Sequence, residues 1–153
     1  MSVLAMAIFA SSVAVQPPPA AVSALRREYP EFAKSSLQQV IAVDADGDGR
    51  KDWVGVARAE RRWAILIAYA KPEGWRAANI DMGEGPGPDR LEILPPSAYA
   101  RHATCTSTLG PNERASFTSS LPGIMASGFE GNRRAYQLGQ HAWGYVCVGG
   151  ETP

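Results

Sequence analysis

The sequence predicts an α+β domain of mostly antiparallel β-sheet, a propeller-blade-like meander with a short N-terminal helix. Short apolar, β-branched stretches recur between turn-forming clusters from Gln39 to Val148. With 15 Gly and 12 Pro among 153 residues, the composition favours many turns over long helices. Strong helix formers concentrate in one place, ahead of the first apolar stretch. The length suits one domain with a proper core and is too short for two.

Residues 1–15 read as a secretory signal peptide. Val3 to Val15 is apolar apart from Ser11 and Ser12, and is shorter than the roughly 20 residues that span a bilayer. Ser12 and Ala14 suit cleavage just after Ala14, although no Lys or Arg precedes the run. Residues 16–20, opening Gln16-Pro17-Pro18-Pro19, read as a stiff linker, and 21–153 as the domain. From Ala21 to about Leu37, Val22, Leu25 and Tyr29 share a helical face, and Pro30 interrupts it.

The period then changes. Gln39 to Val43 and Trp53 to Ala57 are strand-like and flank an acidic loop, and Ala59 to Arg62 is a polar turn. Trp63-Ala-Ile-Leu-Ile-Ala-Tyr69 is the most apolar stretch, expected to be central and buried on both faces. Lys71-Pro-Glu-Gly74 is a hairpin turn, and Trp75 to Ile80 returns from it. Gly83 to Asp89, rich in Gly and Pro, is expected to be an exposed loop without regular structure. Leu91 to Leu94 is a short strand stopped by Pro95-Pro96, and Arg101 to Leu121 is polar and aperiodic. Gly123–Phe129, Arg133–Leu138 and Trp143–Val148 are the closing strands, with turns at Glu130-Gly-Asn132 and Leu138-Gly-Gln-His141. The two cysteines, Cys105 and Cys147, form a disulfide if the chain is exported, worth about 3–4 kcal/mol in the chain-entropy model.

The informative segment is Asp44-Ala-Asp-Gly-Asp-Gly-Arg-Lys-Asp52, with carboxylates at loop positions 1, 3, 5 and 9 and Gly49 at position 6. Calcium takes six to eight oxygens, and alternate residues of a curled loop point inward, so Asp44, Asp46 and Asp48 can converge. Gly49 permits the sharp bend. The main-chain carbonyl of Arg50 falls at position 7, where a backbone oxygen is usual, and Asp52 closes the ring directly or through water. Four carboxylates in nine residues repel one another until a divalent cation joins them. The twelfth position is Gly55 rather than a bidentate Glu and both flanks are strand-like, so this is not an EF-hand. Binding is expected in the weak extracellular range, about 10⁻⁴–10⁻³ M or tighter.

The string from Val40 to Val56, an Asp-x-Asp-Gly-Asp-Gly-x-x-Asp loop between two apolar strands, resembles the FG-GAP/VCBS-type repeat. The resemblance implies calcium held by Asp44, Asp46, Asp48 and Asp52 with the carbonyl of Arg50. It covers about 20 to 40 residues in one copy, whereas a propeller needs several. The layout is similar to small exported bacterial proteins that carry a single such loop after an N-terminal helix. It supplies a site and a fold hint, not an activity.

Zero net charge and the lack of a basic stripe give no support to nucleic-acid binding. No catalytic residue is identified. His102 and His141 lack zinc-ligand neighbours, and there is no Gly-x-Ser-x-Gly, phosphate loop or dinucleotide fingerprint. Asp89 with Glu92, or Glu28 with Glu31, could only be imagined as acid–base pairs. The tryptophans Trp53, Trp63, Trp75 and Trp143 lie on expected strands and suit core packing, and Arg133-Arg134 suits a solvated strand face. The favoured expectation is a periplasmic or secreted calcium-binding protein, monomeric, without a stable membrane span after signal removal. It would act as a non-catalytic binding or inhibitory module toward another protein or envelope component. The alternatives are a small envelope hydrolase using scattered carboxylates, and a purely structural domain stabilised by calcium and a disulfide.

Overall fold

The computed structural model describes residues 16–106, 108–129, 132–139 and 142–150. The expected signal peptide, the Glu130-Gly131 turn and His141 lie outside the described residues.

Helix α1 spans Pro19–Glu28. Pro19 and Ala20, expected in the linker, open it instead, because the first helical position needs no N–H and proline's fixed φ suits it. The helix ends before Pro30, and a single 3-10 turn follows at Pro30–Phe32. Ala21, Leu25 and Phe32 are buried on one side of this unit.

Among the described residues ten strands follow, all antiparallel in their pairing. Strands β1 (Gln38–Val43), β2 (Asp52–Ala59), β3 (Arg62–Lys71) and β4 (Gly74–Glu84) make a meander in that order. A second sheet runs β10-β9-β8-β5, from β5 (Arg90–Leu94), β8 (Gly123–Phe129), β9 (Asn132–Leu138) and β10 (Trp143–Gly150). β6 (Ala98–Ala100) pairs with β7 (Ser116–Thr118), and β7 falls within the Arg101–Leu121 stretch expected to be aperiodic. A strand of three residues, Ser116–Thr118, is too short for alternation to show in sequence.

The molecule is layered as helix, sheet, sheet. Val54, Val56, Ile65 and Ile67 of the first sheet pack against Ile124, Ala126, Tyr136 and Trp143 of the second. Ala21, Leu25 and Phe32 cover the other face of the first sheet at Ala57, Ala64, Leu66 and Ala68. β3 is therefore buried on both faces, which explains its continuous apolar run.

Polar groups also join the sheets. Arg134 pairs with Asp81 at 3.0 Å, and its guanidinium lies over the rings of Phe129 and Tyr145 at 4.1 and 4.9 Å. The Tyr136 hydroxyl donates to the same carboxylate at 2.5 Å. Arg134 is thus half-buried and engaged with the other sheet, whereas its neighbour Arg133 is exposed.

The Gly83–Asp89 stretch also departs from expectation. Gly83 and Glu84 continue β4, and a Cβ at Gly83 would come within 2.9 Å of the Trp63 ring. Gly87 and Pro88 are buried, and the Arg58 guanidinium donates to the carbonyls of Pro86 and Pro88. Glycine lets the chain lie flat against tryptophan, and Arg58 satisfies carbonyls that proline-rich chain leaves without strand partners. Cys105 and Cys147 are joined, fixing the 101–115 segment to β10. Among the described residues no helix is long and apolar enough to cross a membrane.

Candidate metal centre

The acidic loop joins β1 to β2 at one end of the first sheet. Its curl follows from its own side chains. The Asp44 carboxylate accepts from the amides of Gly47 at 2.8 Å and Gly49 at 2.9 Å. Asp46 accepts from the Asp48 amide at 3.3 Å, and Asp48 from the Arg50 amide at 2.9 Å. These are Asx turns, in which a short carboxylate replaces a backbone acceptor. Gly47 and Gly49 both have positive φ, +77° and +83°. Gly49 has open space around it, whereas a Cβ at Gly47 would lie 2.7 Å from Leu121 Cδ2. The bend is therefore shared by two glycines, one of which also lies against Leu121.

One carboxylate oxygen from each of Asp44, Asp46 and Asp48 lies within 4.8 Å of the others. Spacing of this kind suits a hard cation that takes carboxylate oxygens. Asp46 and Asp44 are half-buried and Asp48 is exposed, so the cluster faces solvent on one side.

Asp52 is placed differently. It is completely buried and accepts from the amides of Ala45 at 3.0 Å and Ala70 at 2.9 Å. It is not among the three converging carboxylates. Burial pushes its carboxyl up to about 6, against the pull of those two amides and with Asp46 and Asp48 adding to the rise. Its visible work is structural: it ties the start of the loop to the end of β3. The Arg50 side chain is exposed and its amide is engaged by Asp48.

Lys71, at the end of β3, brings its ammonium to Asp46 and to Asp48, the latter at 3.2 Å. The hydrogen bond to Asp46 holds the ammonium above its ordinary value. The Asp48 carboxyl lies below its own, chiefly through the Arg50 amide. A side-chain cation thus already offsets the carboxylate crowding. Sequence reasoning missed Lys71, because the contact spans 25 residues and depends on strand register. The signal was indirect: β2 and β3 form a tight hairpin pairing Trp53 with Ala68, which sets the end of β3 beside the loop.

Glu28, Glu31, Asp89 and Glu92 are exposed, and Glu92 pairs with Arg90 at 2.6 Å. All four tryptophans lie on strands: Trp63 and Trp143 are buried between the sheets, while Trp53 and Trp75 pack on the helix side. Comparison with protein-family models, with curated proteins and with solved structures found no match to this chain.

Proposed function

We propose that this chain is an exported, non-catalytic calcium-binding module that recognises another protein or an envelope component. The convergence of Asp44, Asp46 and Asp48 within 4.8 Å carries the calcium reading. In this reading the Arg50 carbonyl completes the set at position 7, and Asp52 contributes through water or by fixing the loop. The disulfide between Cys105 and Cys147 supports an oxidising compartment, periplasmic or secreted. Kinship with single-copy FG-GAP/VCBS-type loops is part of this reading, and it rests on the loop's residue pattern between the first two strands of an antiparallel meander.

The test is a calorimetric calcium titration of chelator-treated protein, with Asp44→Ala/Asp48→Ala alongside. Saturable single-site binding is expected with a dissociation constant of about 10⁻⁴–10⁻³ M or tighter, raising the melting temperature and lost in the double variant. Absence of binding at millimolar calcium would make the loop an ordinary acidic turn.

A further inference from the structure

Every sheet edge offers unpaired amides and carbonyls, and this fold covers its edges unequally. The β10 edge is covered: the Tyr145 amide donates to the Asn112 carbonyl at 3.0 Å, and the Arg114 amide to the Tyr145 carbonyl at 2.8 Å. β1 is short and bulged and packs beside β5, which Pro95 follows at once. β4 is the longest strand, and among the described residues no strand pairs with its outer edge. A bulge opposite Ile65 and Leu66 twists its later half, a common way to protect an edge. The earlier half, from Gly74 to Ala78, runs in regular register with β3.

Beside that half lies a groove of about 560 Å³ where the two sheets part. That volume is within the usual range for binding clefts. Tyr69, Ile80, Leu138 and Trp143 line it together with Arg76 and Asn112. Lys71 and Asp46 also reach it, but they are engaged with each other. Arg76 is exposed, with no ion-pair partner among the described residues. The groove thus presents mixed polar and apolar walls, with Arg76 as a cation lacking an ion-pair partner among the described residues, beside a regular strand edge.

We propose that Gly74–Ala78 and this groove take an extended peptide segment of a partner protein, added as a strand, with an acidic side chain on Arg76. Main-chain pairing supplies the affinity in such an addition, and side-chain recognition supplies the specificity. A carboxylate complements the guanidinium, and apolar residues at alternate positions meet the groove walls. A second copy of this chain pairing antiparallel on the same stretch would set two Arg76 side chains near each other, a like-charge cost that disfavours self-association. The proposal rests on the reading of the chain as a binding module, not on whether the loop takes calcium, so the two fail separately.

The test is selection of displayed random octapeptides on the full chain, followed by anisotropy titrations of the recovered peptides in calcium and in chelator. Amide exchange then maps the contact. Recovered peptides are expected to alternate apolar residues with Asp or Glu and to slow exchange at the amides of Trp75 to Ala78. Arg76→Glu should weaken them about tenfold or more, with Arg76→Lys in between and the melting temperature unchanged. Binding that persists in chelator supports the groove while removing calcium from its operation. Recovery of no binder, binders indifferent to Arg76→Glu, protection elsewhere, or sedimentation as a β4-paired dimer would overturn the proposal.

Discussion

Asp52 and Lys71 divide the loop's chemistry between architecture and charge. Replacing Asp52 with Ala leaves the buried amide of Ala45 and the part-buried amide of Ala70 without their acceptor. Asp52→Ala should therefore cost about 2–4 kcal/mol even in chelator, read by urea unfolding of calcium-free protein. An equal stability of wild type and variant in chelator would show that the carboxylate matters only to the ion. Lys71 acts in the opposite sense. A divalent cation reaching Asp46 and Asp48 competes with its ammonium, so Lys71→Met should tighten calcium binding about fivefold, roughly 1 kcal/mol. The same variant in chelator should melt earlier, since the crowded carboxylates lose the neighbouring Lys71 ammonium. Calcium titrations of the two proteins at equal ionic strength check the first point, and melting curves the second.

At the scale of elements, the join between the sheets depends on Asp81 of β4 and Arg134 with Tyr136 of β9. Burial, with the Asp81 charge beside it, pushes the Tyr136 hydroxyl well above its ordinary value. Its folded value exceeds its unfolded one, so the stabilisation is full below the unfolded value near 10 and is lost as pH rises through the folded one. Stability should fall above about pH 10, and Tyr136→Phe should flatten that fall while costing about 1–2 kcal/mol at neutral pH. Tyr69 and Tyr145 are raised too, through burial first, so the flattening should be partial. Melting temperature against pH for both proteins decides it; parallel curves would remove Tyr136 from the alkaline transition. Most of these elements were legible in sequence. The β3 run and the strands around it carry strong periodic signals, and Pro30 marks the helix end. Pairs such as Asp81 with Arg134 were not, because 53 residues separate them and local pattern carries no register between sheets.

For the whole molecule, the disulfide is the main constraint on the segment that covers the β10 edge. Cys105 and Cys147 are 42 residues apart, so breaking the bridge should cost about 3–4 kcal/mol in the chain-entropy model. Cys105→Ser/Cys147→Ser should lose that stability in denaturant unfolding and speed amide exchange at Arg114 and Tyr145 more than within β3. Uniform acceleration would mean that the bridge stabilises the fold as a unit instead. The mostly antiparallel architecture, the short helix, the cysteine pairing and three converging carboxylates were already legible before the fold was known. These rest on local periodicity, turn chemistry and the pairing of the only two cysteines, all written in residue order. The fold in three dimensions was needed to show that Asp52 turns to the amides of Ala45 and Ala70, that Lys71 meets the acidic loop, and that no described strand pairs with the outer edge of β4 beside a groove. Each of those depends on how one sheet's register and twist meet the other, and that is set by the packing of the shared core.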